Sequence, residues 1–242
     1  MQRGKAYHGF GFPQVMLMGN IKLRILFPEN NGQRIQRRGC QKRVSRLFFW
    51  NFVITSSHNW HQINDQLYRS AQAYGSYFDY LLKRNKIKSL INLRGENPLS
   101  RWYAPEQKLC NQLNIQHIDL SLHSRRLPKK ATLMEMIRVF NTADRPILLK
   151  CSGGADRTGL AASLFILNEY GIECLPEALH QLKFFPYLHF PRKHQRWIGH
   201  LPRYFAATHR DKTLADWTQK FYSHANFAEW LCENNLEGTW HK

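Results

Sequence analysis

The residues most able to do chemistry lie in one run, Ile147-Leu-Leu-Lys-Cys151-Ser-Gly-Gly-Ala-Asp-Arg157-Thr-Gly-Leu160. An apolar strand leads to a thiol, then a loop of small residues, then a helix beginning near Arg157. Those parts make an anion cradle with a nucleophile at its floor. Gly153 and Gly154 let the loop Ser152, Gly153, Gly154, Ala155 and Asp156 wrap tightly and turn its N–H groups inward, and the helix adds its positive end at the same point. Such a loop binds a phosphoryl group. A cysteine facing those donors is favoured as thiolate, so Cys151 reads as a nucleophile. Arg157 can offer a planar fork to two phosphoryl oxygens, which a lysine could not. Five residue choices at this spacing arise by chance on the order of once in ten thousand chains of this length.

The flanking pattern supplies the elements that must hold this loop. Short β-rich runs at 88–93, 116–120 and 147–150 alternate with helical patterns at 77–84, 105–113 and 132–140. Further helices are predicted at 159–170, 176–185, 193–205 and 214–231, the last with a break near Ser223. Alternation of this kind predicts an α/β fold, with a central mostly parallel sheet flanked by helices. The aromatic-rich end, from Phe184 to Trp230, reads as packing of helices onto that sheet.

At these residues the chain resembles the Cys-x5-Arg protein tyrosine phosphatase superfamily, in its dual-specificity-like and bacterial branch. The resemblance runs from Leu67-Tyr-Arg-Ser-Ala-Gln72 through Ile91-Asn-Leu-Arg-Gly-Glu96 to about Phe190, and only the loop motif is highly specific. It implies a two-step reaction with no metal or other cofactor: Cys151 attacks phosphorus, a cysteinyl-phosphate forms, and water hydrolyses it. By the same motif Thr158 would hydrogen-bond the sulfur and help it leave. The family usually has His before the nucleophile, whereas Lys150 stands here. Asp156 resembles the Asp-Arg-Thr-Gly variant of some bacterial members linked to broad phosphoprotein or phosphoinositide specificity, and its carboxylate would organise the loop or contact Arg157.

A leaving alkoxide or phenoxide needs a proton from a neighbouring carboxyl group. In the dual-specificity branch the donor is an Asp about thirty residues before the cysteine, just after a strand, which Asp119 resembles. Glu96 is the second candidate; without either, a better leaving group is required. His123, Arg125, Arg126, Lys129 and Lys130 should border the mouth and favour a polyanionic substrate. Arg69 and Arg94 could reach toward phosphate, although such positions more often brace loops.

The 242 residues hold 35 Lys and Arg against 17 Asp and Glu, a formal charge of +18, with 43% hydrophobic and 13% aromatic residues. That composition excludes a wholly disordered basic chain. Residues 1–57 carry ten basic side chains and only Glu29, and read as a basic flexible arm able to contact nucleic acid or an anionic membrane; residues 58–242 form the phosphatase domain. The apolar run 47–54 is too short for a bilayer-crossing helix, and its place after a basic run leaves an export signal or membrane anchor as an alternative. Five cysteines without regular spacing suggest a reducing, cytoplasmic setting. The expected substrate is a phosphotyrosine or mixed phosphoprotein. A phosphoinositide or inositol polyphosphate, an RNA 5′ phosphate, or a phosphate-binding module with weak catalysis are the alternatives.

Overall fold

In a computed structural model, residues 58–72 and 75–241 are described. The expected basic arm and the apolar run 47–54 lie outside these residues. The described residues build a five-stranded sheet of strands β1 (His61–Gln62), β2 (Leu67–Ser70), β3 (Ser89–Asn92), β4 (Gln116–Asp119) and β5 (Ile147–Lys150). Its order is β1-β2-β5-β3-β4, with β2, β5, β3 and β4 parallel and β1 antiparallel at one edge. The expected α/β fold with a mostly parallel sheet is therefore present. Strand β5 is central and fully buried, as its apolar run Ile147-Leu-Leu149 requires, and its burial extends to Lys150.

The α-helices among the described residues are α1 (Ser76–Arg84), α2 (Tyr103–Gln112), α3 (Lys130–Thr142), α4 (Asp156–Tyr170), α5 (Leu175–His180), α6 (Leu201–Thr208), α7 (Leu214–Lys220) and α8 (His224–Glu233). Helix α4 is buried continuously from Thr158 to Leu167, so it is enclosed by other elements instead of lying on a surface. One core packs its face together with Leu67, Ile91, Ile147 and Leu149 and the residues of α3 and α6–α8. A smaller core lies on the other face, where Tyr68, Leu90 and Leu148 meet Phe78 and Leu82 of α1 and Cys110 of α2.

Several predicted bounds shift for local reasons. The 176–185 helix stops at His180; the Gln181 carbonyl is taken by the Arg69 side chain, and Pro186 disfavours helical backbone at Phe185. The 193–205 helix divides into a 3-10 turn, Lys193–Gly199, and α6, which begins beside Pro202. The break near Ser223 is present, because Ser223 caps α8 by accepting the Asn226 N–H.

Candidate active site

The row Ser70, Lys150, Asn92 and Asp119 runs in register across the ends of four parallel strands. Cys151 follows Lys150 where β5 leaves the sheet. In extended chain successive side chains alternate faces, so Lys150 turns toward α1 and α2 while Cys151 joins the main core and is only 3% exposed.

Four consecutive carbonyls of the following loop are held by donors from outside it. The Gln72 N–H donates to Ser152 O at 3.1 Å, and Asn59 Nδ2 donates to Gly153 O at 2.9 Å. Arg69 donates from one guanidinium nitrogen to Gly154 O and Ala155 O, at 2.9 and 3.2 Å. Across a planar trans peptide the carbonyl and the next N–H point in opposite directions. Pulling these carbonyls outward therefore turns the N–H groups of Gly153, Gly154, Ala155 and Asp156 toward the inside of the loop. Helix α4 begins at Asp156 with no side-chain cap, and its first N–H to bond within the turn is that of Gly159, to Ala155 O at 2.8 Å. Its leading N–H groups and dipole thus face the same point.

Arg69 braces the cradle and does not face phosphate. It is fully buried, its other nitrogen donates to the carbonyl and side chain of Gln181, and its guanidinium lies 4.1 Å from the Tyr187 ring centre. Burial lowers its pKa to about 10, so it stays charged at neutral pH. Arg94 likewise braces, donating to Gln72 and stacking 3.9 Å from the Trp102 ring centre.

The two loop glycines have different tasks. Gly154 has φ +67°, and a Cβ there would meet Ala71 N and the Ser70 carbonyl carbon at 2.6 Å. At Gly153 a Cβ would meet nothing within 4 Å. Gly154→Ala is expected to cost about 3 kcal/mol from backbone strain and overlap, whereas Gly153→Ala should stay within about 0.5 kcal/mol. Urea unfolding of the two variants checks the contrast.

Other expected site residues fall as follows. Arg157 donates to Ser152 Oγ at 3.1 Å, which orients its fork along the loop. Asp156 turns its carboxylate away from the cradle, to His189 Nδ1 at 3.0 Å and Gln195 Nε2 at 3.1 Å, so it organises the loop and does not pair with Arg157. The hydroxyl of Thr158 is buried with no hydrogen-bond partner, so the bond to sulfur implied by the motif is not formed in this conformation.

Asp119 closes β4. It shares its facing with Lys150, two strands away, about 10 Å by ordinary strand spacing. There its carboxylate accepts from Asn92 Nδ2 at 2.6 Å and from the Tyr103 hydroxyl. Asp119 thus ends β4 in register with Lys150, with its carboxylate engaged by Asn92 and Tyr103, and its part as proton donor is a matter for the rate profiles proposed below. Glu96 is exposed on the loop leaving β3, two residues beyond Arg94. Because Arg94 bonds Gln72, whose N–H holds Ser152, that loop adjoins the cradle.

The sequence reading missed the support beneath the thiol. Lys150 is fully buried, with Nζ 2.6 Å from Glu106 Oε1, 3.0 Å from Gln72 Oε1 and 4.3 Å from the Trp102 ring centre. Glu106 also accepts from Gln72 at 2.6 Å and pairs with His117 at 2.9 Å. Burial lowers the Lys150 ammonium to about 8, against the charge of Glu106, which raises it. For Glu106 burial pushes upward, but the His117 bond and the charge and bond of Lys150 outweigh it and hold the carboxyl below its ordinary value.

The profile of the family described as DSP-PTPase phosphatase fused to NAD+ kinase matches residues 44–168, just over half of the chain. The tyrosine-protein phosphatase cdc-14 of Caenorhabditis elegans is 24% identical over 102 residues, which span 41% of this chain and 13% of that protein. Among solved structures, P. aeruginosa TpbA is 21% identical with a TM-score of 0.48, covering 61% of this chain and 85% of that one. The core catalytic domain of the PP-IP phosphatase SIW14 from S. cerevisiae is 19% identical with a TM-score of 0.44, covering 74% and 94%. With its Cys-x5-Arg loop between β5 and α4, the chain belongs to the DSP-PTPase family of the tyrosine and dual-specificity phosphatase superfamily.

Proposed function

We propose that this chain is a cysteine-dependent phosphatase acting on phosphomonoesters, with residues 58–242 as its catalytic domain and aryl esters such as phosphotyrosine as its preferred substrates. The observation that carries this reading is the outward anchoring of the carbonyls of residues 152–155 around Cys151. The inward N–H groups match the three non-bridging oxygens of a phosphoryl group, and Arg157 follows them as phosphorus becomes trigonal bipyramidal. The Cys151 thiolate forms an S–P bond as the ester P–O bond breaks. Water then attacks phosphorus, the P–S bond breaks, and phosphate and the free thiolate are released.

Because the Asp119 carboxylate is already held by Asn92 and Tyr103 while Glu96 is exposed on the loop after β3, our reading assigns Glu96 to protonate the leaving oxygen. A phenoxide, whose parent phenol has a pKa of about 10, leaves with less help than an alkoxide, which favours phosphotyrosine over phosphoserine. Glu96→Gln should lower kcat on an aryl phosphate about 10²-fold and flatten the fall in rate at alkaline pH that a general acid imposes on losing its proton. Asp119→Asn should leave that fall in place. Rate profiles between pH 4 and 9 decide between them.

The class itself is tested by release of phosphate from a small aryl phosphate with chelator present, joined to a rapid denaturing quench. Phosphate label recovered on Cys151 supports the reading. Turnover with no label on that residue overturns it, as does the absence of turnover from the reduced protein at every pH.

A further inference from the structure

The segment between α5 and the 3-10 turn presents three phenylalanines to solvent. Phe185 is 80% exposed, Phe190 81% and Phe184 50%, with the rings of Phe184 and Phe190 edge to face at 6.3 Å. The rest of the segment is firmly rooted. The Tyr187 ring lies under Arg69, and Asn59 Nδ2 donates both to the Tyr187 carbonyl at 3.1 Å and to that of Gly153 at 2.9 Å. His189 is buried against Asp156. The phenylalanines are therefore held out of the protein by a segment fastened to both sides of the phosphate cradle.

The segment's own charge has one sign, and the Asp156 carboxylate bonded to it is taken by His189 and Gln195. From residue 178 to 210 there are six Lys and Arg and no Asp or Glu. Lys183, Arg192 and Lys193 within this stretch are exposed beside the rings. Gln195 links Asp156 to Ser124, which brings the exposed Arg125 and Arg126 to the same rim. Rings so exposed suit a deformable apolar medium better than a folded partner's ridge. Aromatic side chains at the rim of a basic surface match the water–lipid boundary of an anionic bilayer, where rings enter between headgroups and cations meet lipid phosphates.

We propose that this segment docks the protein on anionic bilayers, with Phe184, Phe185 and Phe190 inserted and the cradle turned toward phosphomonoesters presented at the surface. The docking stands on this geometry alone; only the orientation toward substrate rests on the phosphatase reading. The test measures partitioning of the full chain into vesicles of phosphatidylcholine alone and of phosphatidylcholine with phosphatidylserine. Wild type should favour the anionic vesicles at least tenfold. Phe185→Ser combined with Phe190→Ser should lower that binding at least tenfold while hydrolysis of a small soluble aryl phosphate stays within twofold. Lys183→Glu with Arg192→Glu should remove the preference for anionic lipid. Binding unchanged in the phenylalanine variant overturns the proposal, since residues 1–57 are identical in both proteins. The proposal is also overturned if that variant keeps vesicle binding but loses affinity for an acidic phosphopeptide, which would mark a protein-binding segment. Phenylalanine-dependent vesicle binding without turnover would retain the docking and remove only the phosphatase reading.

Discussion

Serine in place of Cys151 is expected to lower phosphate release by at least about 10⁴-fold while affinity for inorganic phosphate does not fall. The two readouts separate because their physical sources are separate. Turnover needs the sulfur nucleophile, for which a serine hydroxyl is a far weaker substitute. Phosphate affinity needs the inward N–H groups and Arg157, whose placement depends on Asn59, Arg69 and Gln72 and not on the sulfur. Phosphate binding followed by calorimetry, alongside aryl phosphate turnover, reads both. A parallel loss of both would mean that the thiol also shapes the loop. Turnover retained by Cys151→Ser would assign the chemistry to another residue.

Glu106→Gln is expected to cost about 3–5 kcal/mol at pH 7, because it strips the counter-charge from a fully buried lysine. The pH dependence has a definite sign. The Lys150 pKa is about 8 in the folded chain against 10.5 for the free side chain, so between these values the unfolded chain binds more protons and stability rises with pH. Below about 8 the ammonium is carried into the interior and depends on Glu106. At pH 10 it is largely neutral in the folded protein, and the variant should recover part of its deficit. Adding Lys150→Met to Glu106→Gln should also recover stability, since an apolar chain replaces an unpaired charge. Urea unfolding at pH 7 and 10 measures both effects. Equal deficits at the two pH values would show that Glu106 acts through shape and not charge.

The cradle was legible in sequence because its parts are contiguous: strand, thiol, glycines and arginine follow one another, and local geometry does the rest. Its supports were not. Asn59, Arg69 and Gln72 reach the loop across 94, 85 and about 80 positions, and Glu106 meets Lys150 from a different helix. Strand β2 carries little strand signal in its sequence, because Leu-Tyr-Arg-Ser lacks an apolar run; the structure buries all four, its arginine bonded to loop carbonyls. The side that Asp119 faces follows from its register with Lys150, and that pairing exists only once the sheet has assembled. The 176–185 helix ends early in part because Arg69, more than a hundred positions away, takes the Gln181 carbonyl, a contact that exists only in the folded chain.

The anchoring of four adjacent carbonyls also bears on the thermodynamics of ligand capture. A glycine-containing loop with its carbonyls free would lose conformational entropy each time it closed on an anion. Here the closing is done by Asn59, Arg69 and Gln72 as the chain folds, so the ordering belongs to folding and not to the encounter. On the proposed phosphatase reading a phosphoryl group would meet donors already aimed, and the affinity of the cradle would reflect desolvation and charge with little deduction for rearrangement.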